Sequence, residues 1–143
     1  MGVNKFNSEG YYDPTTYEAL TNVIREEKAE RKSAFKPLVY ICSPFAGDVE
    51  RNIKRAREFC RFAIKSNCIP LAPHLLFPQF MDDNNPAERE IAMFMNMVLL
   101  GKCNQLWVFG DKISKGMTTE ITKAKNCHQT IRYFSEELKE VLK

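Results

Sequence analysis

Short apolar runs separated by amphipathic stretches set out the chain. Residues 38–43, LVYICS, are a run of the kind that makes a buried strand. PFAGDVE then reads as a turn, with Asp48 as the N-cap of a helix over 49–66. In that helix Ile53, Ala56, Cys60, Ala63 and Ile64 make an apolar stripe, and Arg51, Lys54, Arg55, Glu58, Arg61 and Lys65 make the opposite, charged face. CIPLAP, 68–73, predicts a second strand. Residues 74–86, HLLFPQFMDDNNP, predict a polar and aromatic loop, long for a compact domain and of the length binding lids have. A helix follows over 87–102, with Pro86 near its start. NQLWVFG, 104–110, is a third strand, SKGMTTEITKAKN the loop and helix after it, QTIRYF, 129–134, a fourth strand, and SEELKEVLK a closing helix.

This strand–helix alternation predicts a parallel sheet with helices on both faces. In such folds ligands bind outside the carboxyl ends of the strands, where strand order reverses. SPFAGD, PHLLFPQFMDD and GDKISKGMTTE are the segments that meet at that edge. Two of them lead into a helix N-terminus, whose free N–H groups and dipole favour an anion such as phosphate. Arg51 fits there as well, because a cation in a first helical turn opposes the dipole unless an anion sits beside it.

Ahead of the sheet, residues 1–12 read as a loose arm. A helix then starts at Asp13 as N-cap and Pro14 at the first helical position, with Tyr17, Leu20, Val23 and Ile24 at helical spacing. The expected division is an arm and helix over 1–37 and an α/β domain over 38–143.

Composition narrows the function classes. The chain has 143 residues, 44% apolar and 27% charged, the balance of a globular domain. A net charge of +3 gives no concentrated basic face, so nucleic acid is not an expected partner. No apolar run approaches the ~18 residues of a membrane span. The N-terminus has no signal-peptide core, and MGVNKF lacks the Ser or Thr at position 6 that myristoylation wants. Five scattered cysteines without a CxxC pair read as buried thiols of a reducing compartment. The expectation is a cytoplasmic protein that binds no membrane.

The candidate chemistry centres on Glu120. From local context it is either a helix-start acid complementing the dipole or a carboxylate aimed at a ligand in the loop. SKGMTTE lacks the GxxxxGK[ST] of a P-loop, and no GxGxxG is present, so neither phosphate-loop nor dinucleotide binding of the usual kind is expected. His74 and His128 are the only histidines, and no His/Cys spacing fits zinc; neither a metal nor a cofactor is expected. Cys42 and Ser43 have no partner histidine placed by sequence. Asp82 and Asp83 read as turn residues, and Trp107 and Phe109 as core.

Three stretches, YICSPFAGD…N, PLAPHLLFPQFMDD and CNQLWVFG…SKGMTTEI, resemble the nucleoside 2-deoxyribosyltransferase-like superfamily over about residues 38–133. Within it, the chain is similar to a small uncharacterised branch common in phages and Gram-positive bacteria. The resemblance implies a Rossmann-like or flavodoxin-like three-layer α/β sandwich, with a four- to five-stranded, mainly parallel sheet and an extra N-terminal helix. It implies cleavage of the N-glycosidic bond of a nucleoside or nucleoside 5′-monophosphate, by water or by transfer to another base. The nucleophile falls at Glu120 and the tyrosine that orients it at Tyr40. Ser43, Pro44, Phe45 and Gly47 match the loop that holds sugar or phosphate. Ser114, Gly116 and Met117 match the loop that closes around them. The partners implied are a nucleoside or nucleotide and further copies of the chain, as a dimer or higher homo-oligomer.

Where the transferases carry two aspartates, the matching positions are Asn96 and Asn104, and an amide cannot serve as general acid. Asp83, Asp82 or His74 would take that role, and His74, Asp82 and Asn96 would contact the substrate. Ser43, Arg51 and Ser114 would form a phosphate site. The rival reading from the two asparagines is a module that binds or sequesters a nucleotide or nucleotide-derived signal without cleaving it. A third reading is an interaction protein that uses the Tyr17, Leu20 and Ile24 stripe.

Overall fold

The computed structural model describes residues 18–25 and 35–143. The chain divides into two units, Met1–Phe35 and Lys36–Lys143. In the first, residues 18–25 are helical (α1), with Leu20 and Val23 about half exposed. The expected N-cap Asp13, Pro14 and Tyr17 lie outside the described residues.

The second unit is a five-stranded sheet in the order β2-β1-β3-β4-β5. β1 (Leu38–Cys42), β2 (Ile69–Leu71), β3 (Gln105–Phe109) and β4 (Thr130–Phe134) are parallel, and β5 (Glu140–Val141) runs antiparallel to β4. The order of the parallel strands is that of flavodoxin-type doubly wound sheets, with the switch point between β1 and β3.

Strand alternation divides the core in two. Val39 and Ile41 face one way with Trp107, Phe109 and Phe134, under α2 (Val49–Lys65). Tyr40 and Cys42 face the other way with Leu106 and Val108, packed with residues of α4 (Pro86–Gly101) and α5 (Lys115–Asn126). The layers are therefore helix, sheet, helix. Phe59 of α2 stacks on Phe109 with ring centroids 4.2 Å apart. Full burial of one such aromatic contributes roughly 1.5–3 kcal/mol. The buried stripe of α2 is Ala56, Phe59 and Ala63, at helical spacing. Ile64, expected inside, is half exposed because it falls on the flank of that stripe.

Two further expectations are corrected. Residues 74–86 are not all loop: Pro73–Leu76 form a helical turn, α3, followed by a 3-10 turn at Phe77–Gln79. Pro73 presets the first helical position, and both it and Phe77 are buried, which anchors the segment to the core. The closing helix is absent. Ser135 to Lys139 make a turn, with Ser135 N–H donating to the Lys139 carbonyl at 2.8 Å and Leu138 in the left-handed region at φ 64. Nine residues are too few to sustain an unsupported helix. The turn instead packs Leu138 against the aromatic core and brings Glu140 to Arg132, whose Nε donates to its carboxylate at 2.7 Å. Among the described residues no helix is long and apolar enough to cross a membrane.

Candidate functional site

β3 ends at Phe109, and Gly110, at φ 97, turns the chain away from the sheet. A side chain would be strained at that angle. Ser114 then caps α5 by accepting from the Met117 N–H at 3.2 Å. That leaves the Lys115 and Gly116 N–H groups unpaired at the helix start, where the dipole favours negative charge. Glu120 is the sixth residue of α5, beyond the first turn, so it is not a helix-start acid. It lines a cavity of about 300 Å³ at the switch point.

Glu120 meets β1 there. The Tyr40 hydroxyl donates to Glu120 Oε1 at 3.3 Å, joining residues 80 apart in sequence. Burial pushes the Glu120 carboxyl up to about 7, and hydrogen bonds from Cys42 and Tyr40 pull the other way. Tyr40 is itself buried in the core. Burial first, and then the charge of Glu120, hold its hydroxyl well above the ordinary tyrosine range, so it stays a donor. Cys42, on the same strand face, is likewise held as a thiol by burial and by Glu120.

The loop after β1 forms the next wall. Asn52 of α2 donates to the Phe45 and Ala46 carbonyls at 3.0 Å and fixes the loop. Ser43 is 8% exposed, the one buried polar residue among those described. Its Oγ lies 2.9 Å from Nε2 of His74 in α3. Burial lowers His74 to about 4, so the imidazole is neutral at physiological pH.

The third wall comes from the segment leading into α4 and from α4 itself. Asp82 and Asp83 sit exposed at the rim; Asp82 Oδ1 accepts from the Asn84 N–H at 2.9 Å, while Asp83 makes no hydrogen bond or ion pair. Asn96 lines the cavity with its Oδ1 buried and unpartnered. Such an atom costs roughly 1–3 kcal/mol unless a ligand or water supplies a donor.

Of the residues singled out in the sequence, Glu120, Ser43, Phe45, His74, Asp82, Asp83, Asn96, Ser114, Gly116 and Met117 all border this cavity. Tyr40 reaches it through Glu120. Pro44, Gly47 and Arg51 do not border it. Gly47 serves the turn, at φ 98, and Arg51 is exposed, its N–H taken by Asp48 Oδ1 at 3.2 Å. Asn104 lies at the opposite end of β3, where its Oδ1 accepts from Leu38 N–H at 2.7 Å and its own N–H donates to the Leu38 carbonyl at 2.8 Å. It staples β1 to β3 and has no place in the cavity, because the residue before a strand lies at the wrong edge of the sheet. The cations that do border the cavity, Arg89 and Lys115, escaped the sequence reading. For Lys115 the signal was its place beside Gly116 in the SKGM loop; for Arg89 no local pattern marks the cavity side of α4.

Comparisons with known proteins bear on fold and family. Residues 37–134 match the model of a family described as a domain of unknown function, DUF7768. No curated protein matches the sequence. Among solved structures, the chain is similar to a 2-deoxyribosyltransferase from the psychrotolerant bacterium Bacillus psychrosaccharolyticus, with a TM-score of 0.55 and 14% identity over 74% of this chain and 77% of that one. A 2-deoxyribosyltransferase from Leishmania mexicana gives 0.50 and 15% over 69% of this chain and 64% of that one, under two thirds of its length. At these identities the likeness is one of fold.

Proposed function

The chain belongs to the DUF7768 family, and we propose that it breaks the N-glycosidic bond of a nucleoside or nucleotide with Glu120 as nucleophile. The observation that carries this reading is the Tyr40–Glu120 hydrogen bond at the floor of a cavity at the sheet's switch point. The fold shared with proteins described as 2-deoxyribosyltransferases supports it. The chemistry is assigned to residues 38–143, and none of it to 1–37.

In the proposed reaction a Glu120 oxygen forms a bond to C1′ as the C1′–N bond breaks through an oxocarbenium-like transition state. The base departs with the electron pair and takes a proton from Asp83, the rim carboxyl that no other group engages. The product is a glycosyl ester on Glu120, which water or a second base resolves. Tyr40 aligns the carboxylate and spreads its charge. The unpaired Lys115 and Gly116 N–H groups, with Ser114 and the Lys115 ammonium, suit a 5′-phosphate; they replace Arg51 in that role. Hydrolysis of a 5′-monophosphate is therefore the favoured form.

The competing reading is binding without cleavage, and Asn96 is the observation that favours it, since its amide can hold a base but not protonate it. Mass spectrometry of the common nucleosides and their 5′-monophosphates incubated with the protein separates the two. Free base with the wild type and none with a folded Glu120→Ala variant supports cleavage. Bound but unchanged ligand, or full activity in the variant, removes it.

A further inference from the structure

Nucleophilic attack by Glu120 leaves one arrangement in the cavity unused. Ser43 Oγ and His74 Nε2 stand 2.9 Å apart, brought together from positions 31 residues apart. Both line the cavity that holds Glu120. His74 also lines a second, smaller cavity with Arg57 and Gln79, so it stands in the wall between the two. A part-buried serine–histidine contact of this length is the geometry by which a hydroxyl proton passes to an imidazole.

The demand for such a pair arises in the second half of the reaction. Once Glu120 is esterified it cannot act as a base. Tyr40 is a buried donor. Glu88 is engaged by the Asp82 N–H and Asp82 by the Asn84 N–H, and Asp82 and Asp83 are exposed to solvent at the rim. Away from the rim, the Asn96 amide cannot take up a proton, and the group that can accept one from water is Ser43, backed by His74. Resting on the glycosidase reading, we infer that the Ser43–His74 pair is the general base that drives water onto the glycosyl–Glu120 ester.

The step balances. The water oxygen forms a bond to C1′, and the C1′–Oε bond breaks with its electron pair returning to Glu120. The water proton passes to Ser43 Oγ as the Ser43 proton passes to His74 Nε2. The imidazolium forms at the moment Glu120 regains its negative charge, so the cavity's net charge is unchanged. Its proton then leaves to solvent, and the exposed Asp83, which gave its proton to the base, regains one from solvent. Burial keeps the ring neutral between turnovers, with its lone pair available. Ser43 is the group that touches the water, and His74 acts through it. The pair gives the protein a device for hydrolysis rather than transfer to a second base.

The test is His74→Gln, whose amide can still hydrogen-bond Ser43 but cannot take up the proton, together with Ser43→Ala as a second variant. Each is mixed with the common 2′-deoxyribonucleosides and their 5′-monophosphates, and base release and intact protein mass are followed in the first turnovers. The expected result is a burst of one base per protein and accumulation of a glycosyl adduct on Glu120. Steady turnover then falls about 10²–10⁴-fold, the range of general-base contributions. Azide, which needs no deprotonation, restores turnover. Equal slowing of burst and steady state without an adduct, or unchanged turnover, overturns the inference while leaving Glu120 as nucleophile. Turnover by the wild type only when a free base is added also overturns it. Absence of base release by the wild type overturns the glycosidase reading itself.

Discussion

Glu120→Gln tests the electrostatic state of the site without knowledge of the ligand. The carboxyl is raised from 4.5 to about 7 because burial outweighs its hydrogen bonds from Cys42 and Tyr40. Between those two pH values the folded protein holds a proton that the unfolded chain has already released. The folded state is therefore stabilised fully below pH 4.5, loses that advantage as pH rises, and reaches a plateau above about 7. The interval is worth about 3 kcal/mol, at about 1.4 kcal/mol for each tenfold change in acidity. Glutamine keeps the shape and an oxygen to accept from Tyr40, but never ionises. Urea unfolding of both proteins should agree within about 0.5 kcal/mol near pH 4. At pH 8.5 the variant should be more stable by about 3 kcal/mol, or roughly 10 °C in melting temperature for a chain of this size. The gain should coincide with loss of base release, a local cost in stability accepted for function. Stability curves that stay parallel across pH would show that Glu120 is not held in a desolvating site, and the argument from its burial would fail.

Tyr40→Phe removes a donor that favours the ionised carboxylate. Glu120 should then lose its proton at higher pH, so the acidic limb of a kcat/KM profile should move upward, with base release at pH 8 down about 10- to 100-fold for a lost hydrogen bond to a charged group. An unmoved limb would detach the tyrosine from the glutamate. Asn104→Ala should cost about 1 kcal/mol in urea unfolding, because the Leu38 N–H loses its partner, and should leave base release per folded molecule unchanged. Altered substrate preference in that variant would return Asn104 to the site.

What local pattern could reach was limited by what local pattern encodes. β1 and β3 were legible because LVYIC and QLWVF are uninterrupted apolar runs between turn signals, and the two strands are covered on both faces. The parallel order followed from the helices between them. Tyr40 and Glu120 were paired through a family likeness and not through spacing, since nothing in the sequence between these positions, 80 apart, announces their contact. The Ser43–His74 contact escaped for the same reason: it depends on how α3 folds back over the end of β1, and a four-residue helix behind Pro73 has no periodicity to detect. Asn104 was assigned to the site by alignment of a motif, while its backbone bonds to Leu38 are set by register. The tail misled because SEELKEVLK has good helix formers, and edge pairing with β4 outweighed that preference.

The Tyr40–Glu120 bond has a consequence for how a ligand can be found. It ties the first strand in the chain to its last long helix, so a fragment that keeps both ends must run from β1 into α5. A molecule seated across them is linked to the global folding equilibrium and not to a local fluctuation. At one hundred times its dissociation constant it should add about 2.7 kcal/mol to the stability of the whole domain. Thermal denaturation with one small molecule after another then becomes a search tool, because the substrate should reveal itself as the compound that makes the entire domain harder to melt.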